Sequence, residues 1–214
     1  MLIFLHGLTM KPEMLVPLVE ALALPVRLVV PAGPVRHEDG SHSWWAVDAG
    51  HRAARLAEGP SDLFDRHPRE RPAARALLAA TLRAERERQP GCRFVIVGYS
   101  QGGMLAMDHL LSLGEPDVAG LALLSSTCIA LDEWLPHTHR LAGLPVLVTH
   151  GRSDDELAFS AGERLRDLLQ GAGARVTWLP FDGGHEMPLV VWRALRRFVL
   201  GLMAPQAPGA ATAP

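Results

Sequence analysis

Short apolar runs recur along this chain, separated by longer amphipathic stretches. Leu2–Leu5, Val26–Val30, Phe94–Val97, Leu121–Leu124, Val146–Thr149 and Arg175–Leu179 are short, rich in Val, Leu or Ile, and have Gly or Pro close by. Such runs suit strands covered on both faces, as in a parallel sheet. Helical patterns lie between them. "PEMLVPLVEALA" opens with Pro12, a residue suited to a first helical turn, and "RPAARALLAATLRAERERQPG" ends at Pro90 and Gly91, a common stop. "GGMLAMDHLLSLG", "SAGERLRDLLQGAG" and "MPLVVWRALRRFVLGLM" follow, the last with apolar residues at helical spacing. Strands alternating with helices predict an α/β fold, a mainly parallel sheet of about six strands joined by right-handed crossovers.

Two stretches break the alternation. From Pro31 to about Pro72, through "PAGPVRHEDGSHSWW", no strand is evident. A connection this long in a compact domain is expected to be functional or partly helical. The Pro/Ala-rich end, 203–214, is expected to be a disordered tail, which leaves 1–202 as a single domain.

Composition narrows the classes. A chain of 214 residues with 48% hydrophobic side chains can bury a sizeable core. Its 21 basic and 23 acidic residues give a net charge of -2, without the basic stripe of a nucleic-acid binder. No apolar run reaches the roughly 18 residues of a membrane span. "MLIFLHG" is too short for a signal-peptide core and has no basic segment before it, so a cytoplasmic protein is expected. Cys92 and Cys128 form no Cys-x-x-Cys pair and are expected to be free thiols.

The chemistry concentrates at Gly98-Tyr99-Ser100-Gln101-Gly102, a Gly-x-Ser-x-Gly motif between an expected strand and an expected helix. A nucleophile on a strained strand-to-helix turn needs glycines where strand and helix approach closely. A phosphate loop would need a Lys and another glycine spacing. Serine is a poor nucleophile unless a base and an orienting acid support it. His185, in "WLPFDGGHEM", follows the last expected strand and suits the base. "VLVTHGRSDD" offers Asp154 or Asp155 as the acid, with Asp182 a weaker choice. Glu186 suits either a supporting contact to His185 or a solvated helix start. The Gln101 N–H and a second N–H from "LHGLTM", best placed at Leu8, would form the oxyanion hole, with His6-Gly7 shaping that loop.

Taken together, these stretches resemble the phospholipase/carboxylesterase family of α/β-hydrolases, which includes acyl-protein thioesterases. "FLHGLT" resembles its oxyanion loop and "GSHSWWAVD" its Gly-x-x-x-Trp-Phe-Asp segment. "VGYSQGGMLAM" resembles its nucleophile elbow, and "THGRSDDEL" and "FDGGHEM" its acid and base loops. The resemblance runs from Leu2 to about Leu202. It implies an α/β-hydrolase fold, shortened at the N-terminus because strand material usually precedes the oxyanion loop. It aligns Asp154, rather than Asp155, with the family's acid. Departures stand at Thr9, where the loop's second glycine is usual, at Trp45 for Phe, and at Glu156-Leu157-Ala158 for a Val-Pro pair.

The resemblance implies cleavage of carboxylic esters, lysophospholipids or thioesters through an acyl-enzyme, with no cofactor. Trp44, Trp45, Met104, Leu135 and Met187 are candidates to line an acyl slot. No basic groove for a phosphorylated head group is evident, which favours small, uncharged esters. His137-Thr138-His139 near Asp132 and Glu133 lacks a third strong ligand, so no metal site is expected. His37, His42, His51 and His67 are expected to be solvated. The expected partner is a small-molecule ester, acting on a monomer or homodimer. A catalytically silent hydrolase-fold binding protein is the alternative from another class.

Overall fold

A computed structural model describes residues 1–204. In chain order the elements are β1 (Leu2–Leu5), α1 (Leu15–Glu20), β2 (Leu28–Val29), β3 (Val35–Arg36), β4 (His42–Ser43), α2 (Ala49–Ala57), α3 (Arg71–Arg88), β5 (Phe94–Tyr99), α4 (Gln101–Leu113), β6 (Val118–Leu124), α5 (Leu131–Trp134), β7 (Pro145–Gly151), α6 (Phe159–Gly171), β8 (Arg175–Phe181) and α7 (Leu189–Met203). Short 3₁₀ turns occupy Pro12–Met14 and Leu135–Leu141.

The main sheet has the order β2-β1-β5-β6-β7-β8, and every pairing is parallel. Alternation along β1 divides the core. Leu2 and Phe4 face α1 and α7 through Leu15, Val19, Val191 and Leu195, while Ile3 and Leu5 face α3, α4 and α6 through Leu78, Leu105 and Leu165. The result is a three-layer α/β-hydrolase fold with the sheet in the middle. The expected run Val26–Val30 narrows to a pair of residues, Leu28–Val29. This strand is at the sheet edge, pairs with β1 alone among the described residues, and is followed by Pro31, which has no N–H to donate. The four strands from β5 to β8 run longer than their apolar cores.

The 31–72 excursion is partly ordered. β3 and β4 form an antiparallel hairpin, and α2 follows, capped by Asp48, whose Oδ1 accepts from the His51 N–H at 2.7 Å. Met203 closes α7 rather than opening a tail, and the remainder of the expected tail, 205–214, lies outside the described residues. Among the described residues no helix is long and apolar enough to cross a membrane.

Candidate active site

β5 ends at Tyr99 and α4 begins at Gln101, so Ser100 alone makes the turn, with φ 51° and ψ -116°. A positive φ in a non-glycine residue costs about 1–3 kcal/mol and persists only where its surroundings impose it. Here the Ser100 N–H donates to Leu124 O at 2.9 Å. Its carbonyl accepts from Ser126 Oγ at 3.0 Å and from the Gly103 N–H at 3.0 Å. The glycines make the crossing possible: a Cβ at Gly98 would overlap the Gly102 and Gly103 backbone, and one at Gly102 would overlap the Leu5 carbonyl.

β7 and β8 bring the other two groups to the same sheet edge. Ser100 Oγ is 2.9 Å from His185 Nε2, and His185 Nδ1 is 2.8 Å from Asp154 Oδ2. The other carboxylate oxygen of Asp154 accepts the N–H groups of Glu156 at 2.9 Å and Leu157 at 2.8 Å. Burial raises the Asp154 carboxyl, but the His185 hydrogen bond, the attraction of His185 and the two backbone N–H groups outweigh it and hold the carboxyl below its usual range. Asp155 and Asp182 are exposed and outside this chain of bonds. Glu186 is also exposed, and its carboxylate accepts from the Gly184 N–H at 3.3 Å within the His185 loop. The Tyr99 hydroxyl donates to the His185 carbonyl at 2.8 Å and fixes that loop from below.

The loop after β1 faces the elbow. Among the described residues the Leu8 and Gln101 N–H groups hold no hydrogen bond, and both residues line the same cleft as Ser100. Thr9, where the family has glycine, adopts φ 48°. Its N–H donates to Ser43 Oγ at 3.0 Å, and its hydroxyl donates to Leu8 O at 2.9 Å. His6 is fully buried. The Gly33 N–H donates to its Nε2 at 2.9 Å, so its Nδ1–H donates to Gly7 O at 2.7 Å. Burial, the dominant cause, lowers the His6 pKa to about 4. A neutral ring with both nitrogens engaged shapes the loop and has no free position for acid-base work.

The cleft beside Ser100 has a volume of about 1020 Å³. Trp45 and Met104 line it, together with Leu63, Ile129 and Leu157. Trp44, Leu135 and Met187 do not. Trp44 is fully buried, its indole stacked on His6 and donating to His6 O at 2.8 Å. Leu135 is exposed on another face, and Met187 packs beneath the sheet. The cleft wall also carries Arg52, Arg55, Arg66 and Arg69, interleaved with Asp48, Glu58, Asp65, Glu70 and Glu156. The arginines come from α2 and the loop after it, so their grouping was invisible along the chain. His137 and His139 lie against each other, while Asp132 and Glu133 turn to His67, at 3.2 and 2.9 Å from its ring nitrogens. His42 is also tied down, through Gly33 O at 2.8 Å.

Sequence reasoning missed the Gln101 side chain. Its Oε1 accepts from the Trp44 N–H at 2.8 Å and its Nε2 donates to Trp45 O at 3.0 Å, which locks the tryptophan loop to the elbow. The signal was a Gln between Ser100 and Gly102 with no role for its amide. It also missed Leu63, Ile129 and Leu157, whose distance in sequence hides their convergence.

Solved structures share this architecture. A carboxylesterase from Mesorhizobium loti is 25% identical, with a TM-score of 0.75 over 94% of this chain and 88% of that one. A Bacillus cereus carboxylesterase is 20% identical, with a TM-score of 0.70 over 94% and 87%. Acyl-protein thioesterase 2 of Zea mays is 19% identical, with a TM-score of 0.70 over 95% and 93%. No curated protein matches the chain in sequence. The Phospholipase/Carboxylesterase family profile matches residues 1–201, over the elbow, both loops and the whole sheet; the chain belongs to that family.

Proposed function

We propose that this protein is a serine carboxylesterase that hydrolyses short- to medium-chain carboxylic esters through an acyl-enzyme on Ser100. The family, together with the named activities of its structural relatives, indicates a hydrolase of esters or thioesters. The observation that carries the finer reading is the unbroken Ser100–His185–Asp154 hydrogen-bond chain, opening onto a partly apolar cleft. Ser100 Oγ attacks the ester carbonyl as its proton passes to His185 Nε2. Asp154 keeps the other ring proton on Nδ1 and stabilises the imidazolium. The N–H groups of Gln101 and Leu8 receive the oxyanion. The tetrahedral intermediate collapses, His185 protonates the leaving alkoxide, and an acyl-Ser100 ester remains. Water then attacks that ester by the same steps, with His185 again the base.

The Trp45, Met104, Ile129 and Leu157 surfaces support an acyl chain beside Ser100. A second reading, acyl-protein thioesterase or lysophospholipase, is favoured by the arginines on the cleft wall. The test is hydrolysis of p-nitrophenyl esters from acetate to palmitate, and of matched thioesters, by wild type and Ser100→Ala. Activity peaking at short or medium esters, and absent in the variant, supports the first reading. A long-chain or thioester peak moves the assignment to the second. No wild-type activity on any probe leaves the silent binding protein.

A further inference from the structure

The reaction as written leaves one neighbouring titratable group unused. His150 lies near the end of β7, four residues before Asp154, and both side chains are fully buried. Its Nε2 is 3.0 Å from Leu157 O and 3.4 Å from Asp154 Oδ2. The short contact to the Leu157 carbonyl places the proton on Nε2. Nδ1 makes no close hydrogen bond among the described residues, and the Ser126 carbonyl is the other backbone group against the ring. The ring is confined. Gly162 of α6 lies against it so closely that a Cβ there would overlap the imidazole, and Phe159 meets it edge-on at 6.2 Å between centroids.

We propose that His150 is a positioning residue for hydrolysis: its Nε2–H, donated to the Leu157 carbonyl, lies against Asp154 Oδ2 at 3.4 Å and holds the carboxylate in the rotamer that presents Oδ2 to His185. The inference rests on the assignment of Ser100, His185 and Asp154 as the reacting groups. With it, Asp154 is enclosed on every side. Oδ1 takes two backbone N–H groups from the loop that follows, and Oδ2 takes the His185 imidazole at 2.8 Å and has His150 Nε2 beside it at 3.4 Å. The holding group must be a neutral donor, because a cation there would neutralise the charge that His185 needs as it protonates. Burial lowers the pKa of His150 and keeps it neutral. The charged or titratable groups acting on this pair are His185 and Tyr99, and Glu156 and Glu186 act in turn on Tyr99.

The test compares His150→Gln, whose amide N–H reaches about as far as Nε2, with His150→Asn, whose amide falls short. Ser100→Ala on the same ester probe is the control, and full activity there would overturn the underlying assignment rather than this step alone. His150→Gln is expected to keep kcat within about threefold of wild type. His150→Asn is expected to lose about 10- to 50-fold in kcat with KM little changed, the size of effect that a slightly misplaced catalytic group produces. Its kcat/KM acid limb should move up by roughly half a pH unit, because a carboxylate with one donor fewer favours the His185 imidazolium. Equal kcat and equal pH profiles in the two variants would overturn the proposal, as would a drop in Tm with kinetics unmoved. A measurement on wild type stands apart from variant folding. Histidine ¹⁵N shifts should show His150 as the neutral Nε2–H tautomer from pH 6 to 8, and an Nδ1–H tautomer would overturn the proposal.

Discussion

Among the described residues the Asp108 and Asp154 carboxylates are both fully buried, and their partners differ in kind. Asp108, on α4, meets Arg71 Nη1 at 2.7 Å, Arg75 Nη1 at 3.2 Å and the Trp134 indole N–H at 2.9 Å. Asp154 accepts from two backbone N–H groups and the His185 imidazole, with the His150 ring beside it and no guanidinium against it among the described residues. The first is neutralised permanently and ties α3, α4 and α5 together. In the proposed mechanism the second keeps its charge available for a proton arriving at His185. Cations around a buried acid neutralise it, whereas neutral donors leave its charge in place.

The sharpest break in this comparison comes from matched amide substitutions. Asp154→Asn should lower kcat by about 10⁴-fold with the fold intact, since the amide cannot accept from the same imidazole tautomer. Asp108→Asn should leave kcat within a few-fold but cost about 3–5 kcal/mol by stranding a buried guanidinium, a fall in Tm of roughly 6–20 °C. If esterase assays and thermal melts gave both variants the same profile, the distinction would collapse.

The tryptophans repeat the contrast. Trp44→Ala should cost about 3–5 kcal/mol, because it empties a closed site and removes an indole hydrogen bond. Trp45→Ala should instead shift the preferred ester toward longer acyl chains. Comparing urea midpoints with a chain-length series separates the two, and a chain-length shift in Trp44→Ala alone would reverse the assignment.

Histidines offer a pH version. In the unfolded chain an imidazole titrates near 6.5, whereas burial holds His6 to about 4. Below pH 6.5 the unfolded state takes up the proton first. Stability is therefore complete above about 6.5 and falls as pH drops toward 4, by up to about 3 kcal/mol. Urea melts at pH 7 and 5 should show this loss in wild type and a smaller one in His6→Gln; equal losses would mean that His6 is not the sensor. The smallest effect is expected from Tyr99→Phe, which loses the hydroxyl bond to the His185 carbonyl. About 1 kcal/mol of stability and a fall of up to about tenfold in kcat should follow.

Much of this was legible in sequence because it is local. Gly98-Tyr99-Ser100-Gln101-Gly102 specifies its own turn, and the apolar runs specify buried strands whatever surrounds them. Position after expected strands singled out the acid and base loops, and the resemblance to a known family chose Asp154 where residue type alone left Asp155 open. What was not legible depends on distant partners. Trp44 and Trp45 are chemically identical neighbours, yet one stacks on His6 and the other lines the cleft. The arginines of the cleft are scattered through a segment with no strand pattern, and folding alone gathers them. His150 drew no reading from the sequence, because its surroundings form only when β7 and the loop after Asp154 close around it.

The sequence by itself determined the α/β class, the parallel strands and the strained turn at Ser100, because hydrophobic period and glycine sterics act over a few residues. Only the tertiary structure decided which side chains meet at the carboxyl edge of the sheet, and which buried charges are neutralised. Those outcomes depend on parallel register and crossover packing, which place residues 31 and 85 positions apart within hydrogen-bonding distance.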